Sequence, residues 1–409
     1  MRLPWAKRMG TEGSPNAVTG LVLPEPRALL YGKEMYSERP SSAGQATGQS
    51  SRFRNALGVL EDAVAAQAFP GCAFSVLVDN ETVLAGSLGR FTFEEDSPAV
   101  VADTVYDVAS LTKVVATTAA AMLLVQRGQL DLEIPLGDVL PGFVAGRATG
   151  DLARNVTLRH LLAHSSGLPG YVELFRAAST PAALLDACLR LPIEAAPGTR
   201  AEYSDPGFIL FGKSIEALVH EDLGAWTHRE IFAPLGMTVT GFCPPAAARP
   251  AIPPTEVDSD FRHQLVQGEV QDENAWVLGG VAGHAGLFSN VPDLLRFAAA
   301  ILGNGRSQES SKTTSLFDRR TVEQFAQRQL PQGSARALGW DTPSEPSSSG
   351  RHFSRHSIGH LGYSGCSLWI DLDAGLAVVL LTNRTWPDRK NQLIRQVRPA
   401  FHDAVREAI

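Results

Sequence analysis

The sequence predicts an α+β fold: one antiparallel sheet assembled from both ends of the chain, flanked by N- and C-terminal helices, with a mainly helical part inserted between. Two amphipathic helices and two hairpins, placed symmetrically near the termini, carry this expectation. Near the amino end, Phe53, Leu57, Leu60 and Val64 recur at helical spacing, and Phe69-Pro70-Gly71 ends the helix. Cys72 to Val78 and Thr82 to Leu88 then read as strands joined at Asp79-Asn80. Near the carboxyl end, two apolar β-rich runs, Cys366 to Ile370 and Leu376 to Leu381, flank the turn Asp373-Ala374-Gly375. Leu393, Val397, Phe401 and Val405 follow as one stripe of a helix within 391–409.

Between these ends the pattern is helical. From Ser110 to Gln126 the residues are Ala, Leu, Met and Val without a breaker, and Gly128 follows as a C-cap. Such a helix, apolar on most faces, belongs in the centre of the molecule. The α/β part therefore covers 52–130 and 335–409, and the helical part 131–334, with 342–357 an exposed insertion. Residues 1–51, with Pro24, Pro26, Pro40 and a Ser/Gly/Gln-rich stretch, offer little to bury and read as a disordered tail.

Composition narrows the function classes. With 44% hydrophobic and 19% charged residues the chain has a real core, and its net charge of −7 argues against a nucleic acid partner. No apolar run reaches membrane-spanning length and no secretory signal follows Met1, which makes the cytoplasm the default location unless the start hides a leader. Cys72, Cys188, Cys243 and Cys366 are widely spaced and are expected as buried free thiols. His160 and His164 are spaced as HxxxH, but no third ligand follows, so no metal site is assigned. His164 and His284 are expected to hold loops, and Trp340 and Trp369 to pack.

The chemistry-bearing element is Ser110-Leu111-Thr112-Lys113 at the start of the central helix. Spacing i to i+3 puts hydroxyl and ammonium on one face, and the helix amino end favours a developing oxyanion. A partly desolvated lysine can take the serine proton. SxxK alone is weak, since such a serine can simply be an N-cap. Two later runs strengthen it: a Pro197-Gly198 turn leading to Tyr203-Ser204-Asp205, and Gly359-His360-Leu361-Gly362-Tyr363-Ser364-Gly365 leading into a strand.

In that order these motifs resemble the serine β-lactamase and penicillin-binding-protein superfamily, nearest its class C-like branch of esterases, D-amino peptidases, carboxypeptidases and muropeptide amidases. Leu161 to Pro169 and Gly279 to Ser289 resemble the branch's framework, extending the likeness over about 55–405. The resemblance implies a β-lactamase/transpeptidase-like fold and an acyl-enzyme on Ser110. Lys113 and Tyr203 would handle protons, the phenol pKa lowered by Lys113, and the amides of Ser110 and Tyr363 would form the oxyanion hole. Asp205, His360, Gly362 and Tyr363 would meet substrate, and no cofactor is required.

Two departures bear on substrate. His360-Leu361-Gly362 stands where β-lactamases carry Lys-Thr-Gly, which removes a fixed cation worth about 4 kcal/mol of gross attraction at about 4 Å and an effective dielectric near 20. Asp205 replaces the usual Asn, and a carboxylate accepts where an amide could donate. Either Asp205 pairs with Lys113 and keeps it charged, or it receives a substrate ammonium or hydroxyl. The expected activity is hydrolysis of a small ester or amide, with a peptidoglycan-derived peptide or amide (a muropeptide) leading. The alternatives are a promiscuous carboxylesterase, a weak β-lactamase, or a sensor that acylates without turnover.

Overall fold

The computed structural model describes residues 51–303 and 315–409; the tail expected over 1–51 therefore lies, except for Ser51, outside the described residues. The sheet is built from both chain ends. Strands β1 (Gly71–Val78), β2 (Glu81–Gly89), β3 (Ser357–Leu361), β4 (Ser367–Asp371) and β5 (Leu376–Thr382) run in the order β2-β1-β5-β4-β3. All neighbours are antiparallel, with Cys72 opposite Thr382 and Ser357 opposite Asp371 fixing the register.

Both faces of this sheet are covered. Phe74, Val76, Trp369, Val378 and Leu380 point to one side, against helix α1 (Arg54–Ala65) and the C-terminal helix, residues Ile394–Glu407. Ala73, Leu77, Leu368, Ile370, Val379 and Leu381 point to the other, into the core shared with the central helix. Period-2 burial on two covered faces explains why these strands read as continuous apolar runs. Phe53 and Leu60 are buried as the helical pattern requires. Within the C-terminal helix the buried stripe is Ile394, Arg398, Phe401 and Val405, whereas Leu393 is exposed.

Several expectations need correction. The central helix is not uniform: a 3-10 turn (Ala109–Leu111) and a π-helical stretch (Lys113–Thr118) precede helix α2 (Ala119–Gln126). The middle of the chain is less helical than its Pro/Gly punctuation suggests, containing short strands at Gly241–Phe242, Glu256–Asp258, Gln264–Val266 and Leu287–Ser289. The 342–357 segment is anchored rather than fully exposed, because Ser349 and Phe353 are buried, Phe353 edge-on to Trp369. All four cysteines are free, but Cys243 is exposed. Ala109–Gln126 is apolar and long enough for a membrane span, yet 83% of it is buried inside the fold, as a core helix would be.

Candidate active site

Ser110 is held in place from its amino side. Strand residue Asp107 accepts the Ala109 N–H at 2.8 Å and the Gln271 N–H at 2.7 Å. Ala109 occupies the left-handed region with φ +49, a cost that local bonding must offset. Burial pushes the Asp107 carboxyl up to about 6, even though those two amides pull it down. The Lys113–Thr118 π-stretch follows directly, an irregularity that concentrates at functional sites.

Lys113 is fully buried and its ammonium has three acceptors: Ser110 Oγ at 3.0 Å, Asp205 Oδ1 at 2.7 Å and the His284 carbonyl at 3.0 Å. Burial lowers its pKa, but the charges of Asp205 and Tyr203 outweigh burial, and the net direction is upward. The resting group is therefore an ammonium, not the free amine expected of a proton acceptor. Asp205 pairs with Lys113, the first of the two alternatives above. It does so from N1 of helix α3 (Asp205–Val219), whose Ser204 N-cap hydroxyl accepts the Gly207 N–H at 3.0 Å.

Tyr203 lies against Lys113, whose Nζ is 4.8 Å from the ring centroid, and both Lys113 and Ser110 act to lower the pKa of its hydroxyl. Here the expected lowering of the phenol pKa is corrected: burial, the larger influence, raises it above the ordinary value despite the pull of Lys113. Phenol and ammonium are thus both protonated at rest.

Three histidines frame this trio, all buried. His164 stacks on Tyr203 with centroids 4.6 Å apart, and its Nδ1 accepts the Ser204 N–H at 2.9 Å. His284 donates from Nε2 to Asp272 at 2.8 Å while its carbonyl holds Lys113. His360 packs 5.9 Å from the Tyr203 ring and is only 2% exposed, so it borders Tyr203 rather than open substrate space. Its Nδ1 sits 2.9 Å from the Leu361 carbonyl and must carry the proton, which leaves Nε2 as a lone pair without a partner. Burial first, then the charges of Lys113 and Arg336, keep this imidazole neutral. His160 is spent elsewhere, its Nδ1 accepting the Thr157 N–H at 3.1 Å.

The third motif straddles the end of β3: His360 is on the strand and Gly362 opens the turn to β4, instead of both preceding a strand. A Cβ on Gly362 would lie 2.5 Å from the Val108 carbonyl, which is why glycine is needed there. Ser364 Oγ donates to the Asp107 carbonyl at 2.8 Å, so the 362–366 turn is tied to the segment leading into Ser110. The Tyr363 side chain faces outward, 50% exposed.

Four supporting residues were not found from the sequence. Arg336 places its guanidinium 5.1 Å from the Tyr203 ring centroid and pairs with Asp341; nothing in its loop singles it out. Asp272 orients His284, and Asn274 pins the 172–175 loop. Arg398, buried in the C-terminal helix, donates to the carbonyls of Gly362, Gly365 and Cys366 at 2.6, 3.1 and 2.8 Å. An arginine on the core side of an amphipathic stripe was the readable signal for that one. Among the described residues Glu256, Asp258 and Glu273 approach one another closely enough for a cation, but each is already paired with Arg262 or Arg389.

A family model described as Beta-lactamase matches residues 58–400. N-acetylmuramyl-L-alanine amidase of Bacillus subtilis (strain 168) is 31% identical over 355 residues, covering 78% of each chain. A Salmonella typhi protein provisionally named D-alanyl-D-alanine carboxypeptidase is 30% identical over 352 residues, covering 77% of this chain and 79% of its own. The fold matches that of EstCE1, a hydrolase with promiscuous acyltransferase activity, with TM-score 0.71 at 19% identity over 88% of this chain and 99% of that one. A penicillin-binding-protein homologue from Caulobacter crescentus matches with TM-score 0.68 at 18% identity, covering 88% and 98%.

Proposed function

The chain belongs to the β-lactamase family of serine hydrolases, and from that premise we propose that it cleaves an amide of a peptidoglycan-derived fragment through an acyl-enzyme on Ser110. The observation that carries the chemistry is the hydrogen bonding of Ser110 Oγ to a three-acceptor Lys113 beside the Tyr203 hydroxyl.

Because phenol and ammonium are both protonated at rest, the competent form has lost one proton from the Lys113–Tyr203 pair. Ser110 Oγ then attacks the substrate carbonyl carbon while its proton passes to that pair. The oxyanion forms between the amides of Ser110 and Tyr363. Collapse breaks the carbon–nitrogen bond, and the departing amine takes the proton back from Tyr203. Water repeats the sequence on the ester and frees Ser110. Arg336, although next to the proton-donating phenol, is already paired with Asp341, so one feature favours a peptidoglycan fragment over a neutral ester. The amidase of Bacillus subtilis, by its name, acts on N-acetylmuramyl-L-alanine.

The test is intact mass after a fluorophosphonate, together with amine release from N-acetylmuramyl-L-alanine, for the wild type and Ser110→Ala. An adduct and amine release, both lost in the variant by a factor of at least about 1,000, support the reading. An adduct with faster turnover of p-nitrophenyl acetate or nitrocefin moves the substrate to an ester or a β-lactam. An acyl adduct that is never released makes the chain a sensor, and no adduct at all removes Ser110 as nucleophile.

A further inference from the structure

We propose that Arg336 is a positioning residue for the proton transfer: its guanidinium, set beside the Tyr203 ring, holds the negative charge that the phenol oxygen carries between losing its own proton and taking that of Ser110. This rests on the acyl-enzyme reading above and deepens it.

A buried phenolate needs positive charge close to it. His164 stacks on the Tyr203 ring with centroids 4.6 Å apart, and His360 lies 5.9 Å away. Burial first, then the charges of Lys113 and Arg336, keep both imidazoles neutral, so neither offers a cation. Lys113 Nζ is 4.8 Å from the ring centroid, but it shares its charge with Asp205 at 2.7 Å. That carboxylate also opposes ionisation of the phenol, while Ser110 and Lys113 favour it. The Arg336 guanidinium, 5.1 Å from the same centroid, is a second cation facing the ring. Burial lowers the Arg336 pKa and the charge of Tyr203 opposes burial, so each group favours the other's charged form.

The arginine is fixed by a hairpin built into the core. Arg336 and Asp341 face each other across its base and are joined by an ion pair. Asp341 in turn exchanges backbone hydrogen bonds of 2.8 and 2.9 Å with Gly359, the residue before His360. At the tip, the Gly339 N–H donates to the Leu162 carbonyl at 2.9 Å, and a Cβ on Gly339 would collide with Thr118. Trp340, 1% exposed, stacks on Phe297. The hairpin is thereby tied to β3, to the helix Leu158–Leu162 and to the π-helical stretch that carries Lys113. A charge preset in this way needs no reorganisation when the phenolate forms. Because Asp341 already holds it, the guanidinium acts on the ring it faces rather than on a substrate carboxylate.

The experiment measures the rate of Ser110 labelling by a fluorophosphonate against pH for the wild type, Arg336→Gln, Arg336→Lys and Asp341→Asn, with urea unfolding of each. In the wild type the rate rises with pH as the Lys113–Tyr203 pair gives up a proton. Arg336→Gln is expected to move this limb up by about one pH unit, a loss of about tenfold in rate at fixed pH on the limb. Arg336→Lys keeps the cation and recovers most of that loss. Asp341→Asn removes the carboxylate that offsets the guanidinium, so its limb moves to lower pH. An ion pair with only a structural part would cost both Arg336→Gln and Asp341→Asn stability to urea without displacing their limbs in opposite directions. A limb that stays in place in Arg336→Gln, or that shifts the same way in both variants, overturns the proposal and leaves the acyl-enzyme standing. Absence of labelling in the wild type at every pH overturns the acyl-enzyme reading, and this assignment with it.

Discussion

At Lys113, burial and ion pairing pull the pKa in opposite directions, and pairing prevails because Asp205 sits 2.7 Å away inside the fold. The consequence is a rate that rises with pH as the Lys113–Tyr203 pair gives up a proton. Asp205→Asn removes the negative charge that stabilises the ammonium, so the rising limb of kcat/KM moves to lower pH; a limb that stays in place would refute this assignment. Tyr203→Phe keeps the ring against His164 and Lys113 but deletes the proton carrier. A loss of about 100- to 10,000-fold in kcat is expected, with a much smaller change in stability to urea.

Among the elements, the C-terminal helix acts on the site without touching substrate. Arg398 donates to three carbonyls of the 362–366 turn, and burial, joined by the charge of Arg384, brings its guanidinium down to about 10. Arg398→Met would leave the Gly365 carbonyl without its donor, at about 1–3 kcal/mol for a group left unsatisfied, while the carbonyls of Gly362 and Cys366 keep the N–H groups of Gly365 and Gly362. Urea unfolding should report that loss. Steady-state kinetics should show a fall in kcat larger than any rise in KM, because the turn carries the Tyr363 amide; Arg398→Lys should recover part of both. The 279–289 run plays the matching role on the other side, where Thr117 donates to the Gly283 carbonyl at 2.7 Å and the Leu287 N–H bonds Thr112 at 3.1 Å.

Across the whole molecule, buried carboxylates set opposing pH dependences. Asp272 is held at about 2, burial opposing and His284 favouring its charge. A depressed carboxylate stabilises above its unfolded value near 3.8 and loses that contribution as pH falls toward 2, about 2 kcal/mol here. The stability difference between wild type and Asp272→Asn should therefore shrink by about that amount between pH 4 and pH 2 in denaturant titrations. Asp107 behaves oppositely. Raised to about 6, its contribution is complete below 3.8 and is lost as pH climbs through 6.

Much of this architecture was legible in one dimension, because its determinants are local. Apolar β-rich runs around turn residues placed the two hairpins, and Gly128 ended the central helix at φ +67. The i to i+3 spacing put Ser110 and Lys113 within 3.0 Å. What the chain could not reveal by itself is which distant groups meet. Asp205 reaches Lys113 across 92 positions, Arg398 reaches the Gly362 turn across 36, and Arg336 comes to Tyr203 from a loop with no motif. Protonation states follow from those meetings, since burial and charge act over a few ångströms of space rather than of sequence. Spacing was therefore enough to nominate the nucleophile, whereas the charge on its lysine and the tautomer of His360 were decided only when the chain ends closed one sheet.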